Sequence, residues 1–213
     1  MKNLSLKNID AFKILDDDTR EVSYGCSQDW FGTEWQRRSG CGPSAVSNIF
    51  LYLDYPGQSD ARPNGGLSKK GVAETLMEDV WKYVTPTERG IPTTEMLCES
   101  VKSYGAARKF SIKCSHCEVP EDKELRPSNC ELTEFLEAAL SFDIPVAFLN
   151  LCNGDEKNLD EWHWVTIVSL EQKEPDEHIM VRILDRGAIK AIDLTLWLAT
   201  TNNGGGFVHF SKA

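Results

Sequence analysis

The chain has 213 residues, 41% hydrophobic and 26% charged, a globular composition long enough to bury a core without a staple. Its formal charge of −10, with 23 Lys and Arg against 33 Asp and Glu, argues against nucleic acid and against an anionic membrane surface as partners. No apolar run of about 18 residues occurs, and MKNLSLKNIDAFKILDDDTR lacks the apolar stretch of a signal peptide, so the expected setting is cytoplasmic. A chain beginning after a removed export signal would read the same way. In that setting the seven cysteines are expected as reduced thiols.

The first 25 residues are polar with scattered apolar positions and read as a lead-in strand or a wrapping arm. SGCGPSAVSNIFLYLDYPG follows, with Ala45, Val46, Ile49, Phe50 and Leu53 on one face at helical spacing. Pro43 suits a first helical turn, where its missing N–H costs nothing, and Pro56-Gly57 stops the run. Residues 57–67 are turn-rich and read as a surface loop. KKGVAETLMEDVWKYV predicts a second helix with Val72, Leu76, Val80 and Val84 on one stripe. A third follows Ile91-Pro92, capped by Thr93 or Thr94, with Leu97 and Val101 on one side and Gly105 as its C-terminal cap. RKFSIKC reads as a short strand, residues 115–131 as a charged loop, LTEFLEAALSF as a fourth helix and VAFLNL as a buried strand.

The second half is β-rich. WHWVTIVSLEQ, HIMVRILDRG, AIKAIDL and GGGFVHF read as strands, and DLTLWLAT as a helical turn or two. Helices early and strands late predict an α+β fold. N-terminal helices would pack on a mostly antiparallel C-terminal sheet, in one domain over 1–213.

Cys41 opens the first long helix. The helix dipole and its free N–H groups favour a thiolate there, and Gly40 and Gly42 would leave room for a substrate backbone. The bland alternative is a buried small hydrophobe. Among four histidines, His163 stands where a strand emerges from a polar loop, a suitable place for a base; the alternative is a satisfied strand histidine. If the strands on either side of EQKEPDEH form a hairpin, Asp185 falls roughly opposite His163 and can accept its N–H, fixing the tautomer. Asp185 could instead be a plain turn residue before Arg186-Gly187.

At these residues the sequence resembles the bacterial C39-like cysteine peptidases of the papain-like superfamily. SGCGPSAVSNIFLY is similar to their nucleophile segment, WHWVTI to their His strand and ILDRG to their Asp strand, in the same order. The resemblance implies a papain-like fold, with 57–160 as a variable helical and loop region. It implies a thiol hydrolase of peptide or isopeptide bonds, with Cys41 as nucleophile, His163 as acid and base, and Asp185 orienting His163. It also implies an upstream Gln as oxyanion donor: Gln28, thirteen residues before Cys41, or Gln36, five before. The family members that cut double-glycine leaders belong to large transporters, and no such region is present here, so that substrate is not carried over. The expected partner is a peptide or protein substrate. A thiol acyltransferase shares the acyl-enzyme, and a papain-like scaffold that binds without catalysing remains the contrasting class.

No cofactor or metal is expected. Cys114 and Cys117 have metal-ligand spacing, with His116, Cys130 and Cys98 as possible completions, but structural zinc usually takes two such pairs. Trp30, Trp35, Trp162 and Trp164 cluster near the proposed catalytic segments and would supply core packing and cleft walls.

Overall fold

In a computed structural model the chain is described over residues 2–54, 67–173 and 178–213. In chain order its elements are β1 (Lys2–Ser5), β2 (Lys13–Leu15), β3 (Val22–Tyr24), α1 (Glu34–Ser39), α2 (Cys41–Leu53), β4 (Ser68–Lys69), α3 (Lys70–Trp81) and α4 (Thr94–Ala107). Then come β5 (Ile112–Val119), α5 (Asn129–Leu140), β6 (Val146–Asn150), β7 (His163–Lys173), β8 (His178–Asp185), β9 (Ala188–Asp193), α6 (Leu194–Thr200) and β10 (Gly205–Lys212). No helix among the described residues is long and apolar enough to cross a membrane.

The fold is α+β. Its main sheet has seven strands in the order β5-β10-β6-β7-β8-β9, all pairs antiparallel, and β1 pairs with the far half of β7. The polar N-terminal arm is therefore a sheet strand. A second sheet of three short strands runs β3-β2-β4.

Helices cover both faces of the main sheet, which the expectation of N-terminal helices on a C-terminal sheet had left out. β6 shows why: Val146 and Phe148 enter one apolar cluster with Leu132 and Leu136 of α5 and Trp197 of α6. Ala147 and Leu149 alternate into another, with Ile49 and Phe50 of α2 and Leu97 and Val101 of α4. A strand buried on both faces carries no polar alternation, and all five β6 residues are buried. Each fully buried Phe or Leu in these layers contributes about 1.5–3 kcal/mol.

Three local expectations are corrected. α3 buries Ala73, Met77 and Val80, while Val72 is exposed, because tertiary packing rotates the helix away from the stripe read from Val72. Thr93 caps α4 by accepting from the Met96 N–H, but Gly105 lies inside that helix. A Cβ there would come within 2.9 Å of Ile112 and of the Phe110 carbonyl, so Gly105 serves close approach of the following turn and not the cap. β5 continues through Val119, pairing with β10 where a loop was expected. The reading of 57–67 as a loop lies outside the described residues for 57–66, as do residues 174–177 between β7 and β8 in sequence.

Candidate active site

The capping box of α1 and the start of α2 fix Cys41. Thr33 caps α1 by accepting from the Gln36 N–H, and Gln36 returns its carbonyl to the Thr33 N–H. Gly40 then separates the two helices. A Cβ on Gly40 would meet the Gln36 carbonyl and the Phe31 ring, and one on Gly42 would meet Ile91. Both glycines therefore serve the protein's own packing, not the approach of a substrate backbone. α2 has no side-chain cap, which leaves its N-terminal N–H groups for the thiol at its first position.

Asn48, buried about two turns further into α2, ties the site together. Its Oδ1 accepts from the Cys26 N–H at 2.6 Å, and its Nδ2 donates to Thr166 Oγ1 of β7 at 3.1 Å. One side chain thereby sets the segment carrying Gln28, the helix carrying Cys41 and the strand carrying His163. Trp164 adds a second tie, donating its indole N–H to the Ile91 carbonyl at 2.8 Å.

His163 and Asp185 meet as a diagonal pair across β7 and β8. The strands pair Thr166 with Leu184 and Ile167 with Ile183, so continuing the ladder puts Val165, not His163, opposite Asp185. A register shift between Ile167 and Ser169 moves the hairpin by one residue from a regular ladder. His163 Nε2 nonetheless reaches Asp185 Oδ1 at 2.8 Å, both side chains being buried. The turn-residue alternative for Asp185 does not describe it: it is the last residue of β8 and 5% exposed.

With Nε2 committed to Asp185, Nδ1 is the nitrogen left for Cys41, whose thiol lines the same crevice. Burial works against a thiolate at Cys41. The hydrogen bond and charge of His163 outweigh it, the backbone N–H groups of Trp164 and Gly42 add to the effect, and the thiol pKa is lowered. Burial likewise opposes the imidazolium, but Asp185 and Cys41 raise His163 to about 9. Asp185, despite its burial, is held down to about 2 by His163 and Lys190.

Lys190 of β9 was not read from the sequence. Its Nζ lies 2.6 Å from Asp185 Oδ2, so both carboxylate oxygens are engaged. Strand alternation places Lys190 beside Asp185 once β9 pairs with β8, but nothing in AIKAID marks that lysine beforehand.

Gln28 and Gln36 part company. Gln28 lines the crevice that holds Cys41 and His163. Its Nε2 donates to the Arg37 carbonyl at 2.8 Å, leaving the second amide hydrogen, and its buried Oε1 has no partner among the described residues. Gln36 is a buried helix residue, not a solvated loop residue. Its Oε1 accepts from Thr33, and its Nε2 donates to Glu78 at 2.9 Å, so its amide is spent on the cap and on α3.

The crevice itself is about 10 Å³, room for about one water. On its outer side Cys41 also borders an open groove of about 570 Å³ that runs past Trp35 and Trp162. Trp164, by contrast, is buried in the core, and Trp30 packs beside Phe31.

The other histidines have different company. His178 pairs with Asp193, His209 stacks near Phe135, and His116 lies on β5 near Cys98. Cys114 and Cys117, three apart on a strand, point to opposite faces, into different apolar clusters, and cannot share a metal. Cys98 and Cys114 instead form a disulfide between α4 and β5, where reduced thiols were expected; the packed elements bring their Cα atoms to 5.8 Å, within bonding range. The metal-like cluster among the described residues is Asp160, His163 and Asp185, with ligand atoms within 4.8 Å of one another. Arg186 pairs with Asp160 and Lys190 with Asp185, so the cation requirement is already met by side chains.

No protein-family model matches the chain, and no curated protein matches it. Among solved structures, UfSP from C. elegans is similar with a TM-score of 0.45 and 10% identity, over 82% of this chain and 30% of that one. The chain thus spans under a third of the length of that structure. The site's own geometry carries the reading that follows.

Proposed function

We propose that the chain is a thiol hydrolase of peptide or isopeptide bonds, of the papain-like class and closest in motif to its C39-like branch. The observation that carries the reading is that Cys41, His163 and Asp185 line one crevice, with His163 Nε2 on Asp185 Oδ1 at 2.8 Å. A helix N-terminus and an imidazolium stabilise a thiolate near neutral pH, and a buried carboxylate keeps the imidazolium charged.

In this reading Cys41 Sγ attacks the carbonyl carbon, and the carbonyl π pair moves onto oxygen. The free amide hydrogen of Gln28 receives that oxyanion. His163 gives its Nδ1 proton to the departing amine as the C–N bond breaks, and later takes a proton from the water that opens the thioester. Asp185 keeps Nε2–H in place throughout, and Lys190 keeps Asp185 ionised and oriented. An acyltransferase would differ in the last step alone, with an acceptor amine replacing water.

Digestion of a peptide library, read by mass spectrometry, tests this. The native chain should yield new termini that Cys41→Ala and His163→Ala do not. Product sets that are the same with and without Cys41 would overturn the reading.

A further inference from the structure

The groove beside Cys41 has an unusual lining for an acidic chain. Arg38 of α1 and Arg89 face it, with Glu88 as the one carboxylate among its lining residues. Neither guanidinium has a carboxylate partner among the described residues, whereas Arg108 and Arg186 elsewhere on the surface each have one. Arg89 sits on a rigid support. Thr87 and Gly90 exchange backbone hydrogen bonds at 2.9 Å each way, and the next carbonyl, Ile91, accepts the Trp164 indole. Arg38 belongs to α1, whose N-terminus is held by a capping box. Two arginines with no carboxylate partner among the described residues thus flank a thiol in a molecule whose net charge is −10.

The walls are aromatic. Trp35 is 48% exposed and Trp162 54% exposed. Trp162 is also the aromatic residue among the described positive-φ positions, at φ 53°, directly before His163. A bulky side chain in the left-handed region is strained, and such strain persists where surrounding structure or function requires it. Burial does not account for it here, because most of the ring faces solvent. The strained backbone instead keeps the ring on the groove wall beside the base.

We propose that this groove binds an extended peptide segment bearing acidic side chains, held between Trp35 and Trp162 with its carboxylates on Arg38 and Arg89, and leads it to Cys41. Arginine matches carboxylate with paired N–H groups, and flat indoles accept an extended backbone at low entropic cost. This rests on the thiol-hydrolase reading for its purpose, but the binding step stands apart from the chemistry.

The test uses Cys41→Ala protein and two fluorescein-labelled hexapeptides, Gly-Glu-Leu-Glu-Leu-Glu and Gly-Lys-Leu-Lys-Leu-Lys, with fluorescence anisotropy as readout. The acidic peptide should bind at least about tenfold more tightly, with affinity falling as salt rises. Arg38→Gln with Arg89→Gln should reduce that preference to under about threefold. Trp162→Gly should weaken binding while raising the melting temperature, since glycine adopts φ 53° without strain. Equal binding of the two peptides would overturn the proposal, as would binding that survives the double arginine variant. A lower melting temperature in Trp162→Gly would mark Trp162 as a packing residue and remove the wall. In native protein, unlabelled acidic peptide should also slow iodoacetamide labelling of Cys41. Fast labelling that the peptide leaves unchanged would sink the groove alone. Slow labelling of free Cys41 would sink the hydrolase reading and leave the binding result standing.

Discussion

Cys26 and Cys41 line the same crevice and carry the same functional group, yet their thiols are driven in opposite directions. Cys26 is buried with no base beside it, and burial alone pushes its pKa up to about 12. Cys41 is half-buried, and its partial desolvation also works against a thiolate, but His163 and the N–H groups of Trp164 and Gly42 lower its pKa. Position in a cleft does not make a thiol reactive; a paired imidazolium does. The crevice and the outer groove differ in a parallel way. Most polar groups around His163 are engaged within the protein, whereas the arginines of the groove stand ready for something outside it.

The comparison can be broken or sharpened by substitution, and outside the Cys41–His163 pair the largest effect should come from Gln28. Gln28→Ala should slow turnover of an activated ester such as p-nitrophenyl acetate by about 10²-fold, the cost of an oxyanion donor. Its rate of alkylation by iodoacetamide should stay at the native value, because displacement at carbon forms no oxyanion. Equal loss in both assays would place Gln28 in the upkeep of the thiolate instead.

Asp185→Asn comes next. The folded carboxyl is depressed to about 2 from an ordinary 3.8, so its contribution is full above about pH 4 and is lost as pH falls through 2. A shift of that size corresponds to about 2 kcal/mol. Melting temperatures of native and variant protein should therefore differ by roughly 4–8 °C at pH 6 and converge toward pH 2. A gap that holds constant across this range would mean that the ionised carboxylate is not what stabilises the fold. Lys190→Met removes one of the two partners that hold Asp185 down, so the acid-unfolding midpoint should move to higher pH, by less than in Asp185→Asn. The smallest effect belongs to Cys26→Ser, which should leave Cys41 alkylation and ester turnover unaltered.

How much of this was legible beforehand differs by residue. The helix at Cys41 follows from apolar spacing and Pro43, and the strands of His163 and Asp185 from their β-rich runs. These are local signals that survive packing. The meeting of His163 with Asp185 was legible only to within a residue or two, because the shift between Ile167 and Ser169 has no mark in IVS. Lys190, Asn48 and Arg89 were invisible for a different reason. Each acts through neighbours distant in sequence, and a lone Lys, Asn or Arg has no local pattern. The buried face of α3 was misread because Val72 and Ala73 are adjacent, and only the packed neighbours decide which turns inward. Cys114 and Cys117 misled by spacing, since the same interval brings ligands together in a turn and separates them on a strand.

The most direct test of the central claim is the rate of iodoacetamide labelling at Cys41 against pH, read by peptide mass spectrometry with Cys26 as internal reference. Below the His163 pKa of about 9 the imidazolium stays charged, so Cys41 should label fast by about pH 6 and stay level to pH 8, with Cys26 silent. In His163→Ala the fast reaction should disappear and labelling should rise only above about pH 8.5. Labelling of native Cys41 that climbs like an ordinary thiol, and does not change in His163→Ala, would contradict the account.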